Sequence, residues 1–114
     1  MSDKIKKFSA AIRLGATFHP QAFGSLCSRD EHFQVSRTCA LGAGMEALGY
    51  LVTEFAFQEF IKDGIVNRFG LLQLDGCPMC STKVGPTFNV IAHLNDKHGW
   101  TREAIADWLE QKGL

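Results

Sequence analysis

The chain has 114 residues, of which 46% are hydrophobic and 21% charged, and its twelve basic and twelve acidic side chains cancel. That length predicts one domain, 1–114, with a single modest core. The neutral balance argues against a protein built to coat nucleic acid or an anionic membrane, and no apolar run is long enough to span a bilayer.

The N-terminus, Met1-Ser-Asp-Lys-Ile-Lys-Lys-Phe8, is charged, and Arg13 interrupts the apolar stretch a secretory signal would need. Four cysteines in a chain without such a signal read as thiols or metal ligands rather than disulfides, and a cytoplasmic location is expected. Residues 4–15 place Ile5, Phe8 and Ile12 at spacings of three and four among Lys4, Lys6, Lys7 and Arg13. This predicts an amphipathic helix, stopped by Gly15. Residues 19–37, with Pro20, Gly24, several serines and mixed charges, read as irregular.

Residues 38–48 predict a second helix with Leu41, Met45 and Leu48 on one face. Gly42, Ala43, Gly44 and Ala47 keep it slim enough for close packing on all sides. Each glycine costs roughly 1 kcal/mol of helix stability against alanine, which burial must offset. Gly49 is a C-cap. In residues 53–63, Phe55 and Phe57 alternate as in a strand, but Phe57, Phe60 and Ile61 fit a helix that Lys62-Asp63-Gly64 would end, and a helix is predicted. Phe55, Phe57, Phe60 and Phe69 are expected in the core, with any surplus aromatic surface available to an interface. Leu71–Leu74 reads as a short strand leading into the next motif.

That motif is Cys77-Pro-Met-Cys80, twelve residues, then His93-Leu-Asn-Asp-Lys-His98, or C-x2-C-x12-H-x4-H. Two cysteines three apart, on a turn that Pro78 helps set, can aim both sulfurs at one point. Two thiolates and two imidazoles then complete a tetrahedron around one structural Zn2+. Histidines five apart are rotated by roughly 140° on an ideal helix. The last turn must therefore loosen, which Asn95-Asp96 tolerate before Gly99 ends the helix. Four protein ligands close the shell, so catalytic zinc is not expected. A redox Cys-x-x-Cys would need a strand-to-helix context that is missing here. Leu94-Asn95 after His93 excludes the deaminase signature.

This stretch resembles the C2H2 zinc finger, with two cysteines on a hairpin and two histidines on a helix. The resemblance makes Val84 and Val90 core positions and starts the helix at Pro86 or Thr87. It puts the base-reading positions at Pro86, Asn89 and Ala92, of which only Asn89 suits a bidentate contact, to adenine. Asp75, Lys83, Asp96 and Lys97 leave 75–98 without net charge. A folding staple is expected rather than a base reader. His19, Cys27, His32 and Cys39 have seven, four and six intervening residues, which match no metal pattern, and Cys39 is expected as a core thiol.

Residues 102–112 predict a last helix, with Thr101 as N-cap and Glu103 in its first turn. Ile105, Trp108 and Leu109 form an apolar face expected to pack on the N-terminal helices. Glu103, Asp107 and Glu110 form an opposite acidic stripe. The stripe, or Trp108, is the alternative contact for a partner.

The stretches Ala11–Ala16, Pro20–Gly24, Cys39–Ala43 and Ile91–Glu110 resemble a group of small bacterial and phage proteins of unassigned activity. The resemblance implies an origin in a phage or mobile element and a role on a host protein, in the host cytoplasm. The expected fold is mainly α, a small α+β chain: a helical part, 1–70, then a ββα-like zinc finger and one more helix, 71–114. The expected function is a non-enzymatic, zinc-stabilised protein–protein interaction or regulatory module with metal ligands Cys77, Cys80, His93 and His98. The alternative is a nucleic-acid-binding regulator contacting phosphates through Lys4, Lys6, Lys7 and Arg13.

Overall fold

The computed structural model describes residues 4–80 and 84–114. Met1, Ser2, Asp3 and Lys83, which entered the charge reading, lie outside the described residues. The fold is a small α+β arrangement with helices α1 (Phe8–Gly15), α2 (Ala40–Ala47), α3 (Glu54–Lys62), α4 (Ile65–Arg68), α5 (Thr87–Lys97) and α6 (Arg102–Gln111). Two antiparallel hairpins pair β1 (Cys27–Arg29) with β2 (Val35–Thr38), and β3 (Leu74–Gly76) with β4 (Val84–Pro86). No helix among the described residues is long and apolar enough to cross a membrane.

Helix α1 begins at Phe8 rather than residue 4, so Ile5 lies before it. Gly15 is the last helical residue, as expected, but it also serves packing. It lies inside the contact with α2, where an added Cβ would fall 1.9 Å from the Ala43 carbonyl oxygen. Gly44 likewise lies under the Phe8 ring, 2.3 Å from where its Cβ would be. The slim helix predicted for 38–48 is therefore slim because α1 lies against it. Cys39 caps it, its sulfur accepting the Gly42 amide at 3.3 Å.

The segment expected to be irregular, 19–37, contains the β1–β2 hairpin. A strand reading Cys-Ser-Arg carries no apolar alternation, so pattern reading passes over it. Helix α3 forms as predicted, capped by Thr53, whose hydroxyl accepts the Ala56 amide at 2.9 Å. Phe60 and Phe69 are buried against Phe8, with ring centroids 6.2 and 5.8 Å from it. Phe57 is half-buried, and Phe55 is exposed. The strand expected at 71–74 starts only at Leu74. The carbonyls of Leu71 and Gln73 instead accept the Phe88 and Thr87 amides, at 3.1 and 2.8 Å, and so serve the first turn of α5.

Helix α6 buries Ile105, Ala106 and Leu109 in the same hydrophobic cluster as Phe8, Ile12 and Met45 of α1 and α2. Its acidic stripe is exposed but not unpaired. Arg13 of α1 reaches Glu103, Asp107 and Glu110 at 3.0, 2.6 and 2.9 Å. These carboxylates, Glu103 foremost, raise the pKa of the guanidinium. Trp108 is half-buried, with the Lys112 ammonium 4.8 Å from its ring centroid, so it is neither a pure core residue nor an open anchor.

Arg13→Ala leaves three carboxylates facing one another on α6. It should cost about 1 kcal/mol at low ionic strength and less at high salt, because the network is solvent-screened. Urea titrations at two salt concentrations read this directly. Burial pushes the Cys39 thiol from 9.0 up to about 11. The folded chain therefore holds that proton more tightly than the unfolded chain. The associated stability is complete below about pH 9 and is lost as pH rises towards about 11. Cys39→Ser keeps an oxygen cap and should show a smaller fall in the urea midpoint over that interval than the unsubstituted protein.

Candidate metal centre

Cys77 follows β3 directly, and the register of the hairpin, Gly76 opposite Val84, closes the loop that carries Cys80. Cys77 is buried, and its sulfur accepts the Met79 amide at 3.4 Å. His93 lies in α5 and faces the turn. His98 is the C-cap residue, with φ −108° and ψ −3°, just past the last helical residue, Lys97. Leaving the helix there removes the angular mismatch of an i, i+5 pair. Gly99 follows at φ +64°, and the Trp100 amide returns to the Leu94 carbonyl at 3.1 Å, a glycine-ended helix stop.

One donor atom from each of Cys77, Cys80, His93 and His98 lies within 4.8 Å of all the others, so the four could hold a metal ion. The measured edges allow a closer test. Cys80 Sγ and His93 Nε2 are 3.5 Å apart, and the Nε2 atoms of His93 and His98 are 3.2 Å apart. Zinc–nitrogen bonds of about 2.0–2.1 Å and zinc–sulfur bonds of about 2.3 Å give tetrahedral edges of about 3.4 Å for N···N and about 3.6 Å for N···S. Donor chemistry and spacing both fit a four-coordinate ion. The two rings are nearly perpendicular, at 82°, which lets both nitrogens address one point.

The support around the quartet was the part the pattern missed. Asn95, between the two histidines, is fully buried. Its Oδ1 accepts from Gln21 Nε2 at 2.8 Å and from the Ala40 amide at 3.1 Å. Its Nδ2 donates to the Ala22 carbonyl at 2.9 Å and to Asp96 Oδ1 at 2.7 Å. Asp96 in turn accepts the Gly24 amide at 2.8 Å. Asn95 is thus a fixed junction, not a tolerant spacer. The signal for it was present: Asn95 continues the buried face of Ile91 and Leu94, where a polar residue needs partners. A second brace is Lys112, which reaches Asp75 of β3 at 2.7 Å and ties α6 to the hairpin.

Of the two apolar positions the finger resemblance implied, Val90 is fully buried but Val84 is 66% exposed. Val84 and Leu74 lie on one face of the hairpin, across from Gly76 and Pro86, and that face points outward. The interior of the hairpin unit is filled instead by the common core, through Leu71, Val90, Ile91 and Leu94. Among the described residues the four earlier candidates form no metal-capable cluster. His19 pairs with Glu46 at 3.0 Å, Cys27 donates to the Val52 carbonyl at 3.3 Å, and Cys39 is the α2 cap. His32 stands exposed beside Glu31.

The purified protein should carry about one zinc per chain, and Cys80→Ser should lose it together with cooperative unfolding of 75–98. Cys27→Ser and Cys39→Ser should keep it. Elemental analysis of the four proteins decides the ligand set, and metal loss in either of the last two would overturn it. No protein-family model, no curated protein and no solved structure matches this chain.

Proposed function

We propose that the chain is a non-enzymatic protein–protein interaction or regulatory module whose fold is stapled by one zinc ion in a C2H2 finger. Two thiolates and two imidazoles are the donor set of structural zinc. Filling the site with four protein ligands leaves no coordination position for a substrate. The metal would fix the end of α5 and, one residue beyond Gly99 and Trp100, the Thr101 cap of α6.

The observation that carries the interaction reading is the exposed apolar face of the β3–β4 hairpin. Asn89 and Ala92, at two of the base-reading positions, open onto a cavity of about 240 Å3 shared with Ser25, Glu54, Phe57 and Asp96 of the same chain. A phosphate backbone approaching that face would meet two carboxylates. The hairpin meanwhile turns Leu74, Met79 and Val84 towards solvent. An apolar outer hairpin face, beside a helix face whose one polar reader, Asn89, shares its cavity with Glu54 and Asp96, suits a protein partner better than a duplex. If the chain comes from a phage or mobile element, that partner is a host protein.

A nucleic-acid-binding reading has one feature in its favour: Lys6, Lys7 and Arg68 line a common cavity of about 220 Å3. Two of the four cations that the reading began with are spent, however. Arg13 is bound to three carboxylates, and the Lys7 ammonium donates to the Gly113 carbonyl at 2.6 Å. Affinity capture from the native host, followed by reconstitution with the purified partner, tests the interaction reading. Binding is expected for the metal-loaded protein and lost on chelation. Anisotropy with short DNA duplexes should show only weak, sequence-independent binding at physiological salt. Sequence-dependent nanomolar binding that survives competitor DNA would overturn the proposal.

A further inference from the structure

The tip of the β1–β2 hairpin holds a phenylalanine in a conformation that phenylalanine disfavours. Phe33 has φ +62°, in the left-handed region where a Cβ crowds the backbone, and its side chain is 80% exposed. Glycine or asparagine would occupy this position with less strain and lose no burial. The loop nevertheless enforces it. Asp30 Oδ1 accepts the His32 and Gln34 amides at 2.8 and 3.0 Å. The Phe33 amide donates to the Asp30 carbonyl at 3.0 Å, and the Asp30 amide to the Gln34 carbonyl at 2.9 Å.

Arg29 then joins this tip to a second exposed segment. Its Nη1 donates to the Phe33 carbonyl at 2.8 Å and its Nη2 to the Val52 carbonyl at 3.1 Å. One guanidinium therefore holds the backbone of Phe33 beside that of Val52. Leu51, next to Val52, is 76% exposed, and Phe55 in the first turn of α3 is 77% exposed. Three of the most exposed large apolar side chains among the described residues thus belong to one neighbourhood. Strain kept at a rigid, solvent-facing aromatic has a use only if something else receives the ring. A fixed aromatic loses little conformational freedom on binding, which is what an interface anchor needs.

Charge narrows the partner. Segments 29–34 and 51–55 contain Arg29 against Asp30, Glu31 and Glu54, a net of two negative charges. The one cation is already engaged with carbonyls, and the Glu31 carboxylate is exposed beside His32. A second copy meeting the same surface would bring like charges together, which disfavours a symmetric dimer. We infer that Phe33, Leu51 and Phe55 form a preorganised docking surface for a different protein, one with an apolar pocket rimmed by lysine or arginine. This rests on the interaction-module reading and assigns it a surface.

The test uses the full-length protein, immobilised, to select from a displayed random peptide library. A selected peptide is then titrated into isotope-labelled protein and followed by amide chemical shifts. Peptides that combine apolar and cationic residues, with shifts confined to 29–34 and 51–55, are expected. Phe33→Gly should weaken that peptide by about tenfold or more, as for an interface anchor, with a melting temperature unchanged or higher. Gln111→Ala, at an exposed position of α6, should leave the affinity unchanged. A lower melting temperature in Phe33→Gly with binding intact would make Phe33 structural and overturn the inference. Peptides that shift the 72–86 hairpin instead would overturn this surface while leaving the interaction reading standing. A dimer in sedimentation equilibrium that Phe33→Gly dissociates would give the surface to a second copy. A library that yields no binder at all would count against both.

Discussion

The side-chain amide of Asn95 uses both its acceptor directions and both its N–H groups, and it does so with no exposure to water. Through those bonds the loop at 20–24, the first turn of α2 and the middle of α5 become one body. A buried amide left half-satisfied costs roughly 1–3 kcal/mol per lost partner, so the arrangement is all-or-none. His93 lies two residues before Asn95 in α5, and His98 three residues after it, at the C-cap. Whatever holds Asn95 in place therefore also sets the distance between the two imidazoles. Gln21 extends the clamp, since its Nε2 donates to the Trp100 carbonyl at 2.7 Å as well as to Asn95, and so pins the segment just after His98.

Two further contacts keep the helical part compact enough for that clamp to work. The close approach of α1 and α2 depends on Gly15 and Gly44, where a single methyl group would strike backbone or ring. At the other end, Arg102 of α6 is buried without a carboxylate partner. Its Nη1 donates to Thr38 Oγ1 at 2.9 Å, and its Nη2 to the His19 carbonyl at 2.7 Å. Burial lowers its pKa, but carbonyl dipoles around the fork compensate much of the lost hydration. Thus α6 is fastened at its start by Arg102, along one side by Arg13, and near its end by Lys112 to Asp75.

These fastenings explain why the β3–β4 hairpin and α5 do not form an independent unit. A free-standing finger of this spacing carries its own small core. Here Val84 faces water, and Cys77, Val90 and Leu94 share one continuous cluster with Phe8 and Phe60. The consequence for function is geometric. Asn89 and Ala92 of α5 share a cavity with the loop at 24–26 and Glu54, while the outer hairpin and the β1–β2 tip present apolar side chains to solvent. Metal binding in such a chain would act on global stability as much as on local folding.

The sequence by itself determined much of the fold and the site. The grouping of Cys77, Cys80, His93 and His98 was legible because metal ligation fixes residue types and tolerates few spacings. The helices at 8–15, 40–47, 54–62 and 102–111 were legible from their apolar spacing, and the last two also from the local caps Thr53 and Thr101. Other features were decided only by the tertiary structure. The β1–β2 hairpin is held by backbone pairing and one Asp30 turn, which leave no apolar pattern to read. The acidic stripe of α6 looks like a free surface until Arg13, 90 residues and more away in sequence, reaches it. Gly15 reads only as a helix end until Ala43 is placed against it, and Val84 as core until the fold leaves it exposed. In each case the deciding partner is distant along the chain, and local propensity carries no information about which distant group will arrive.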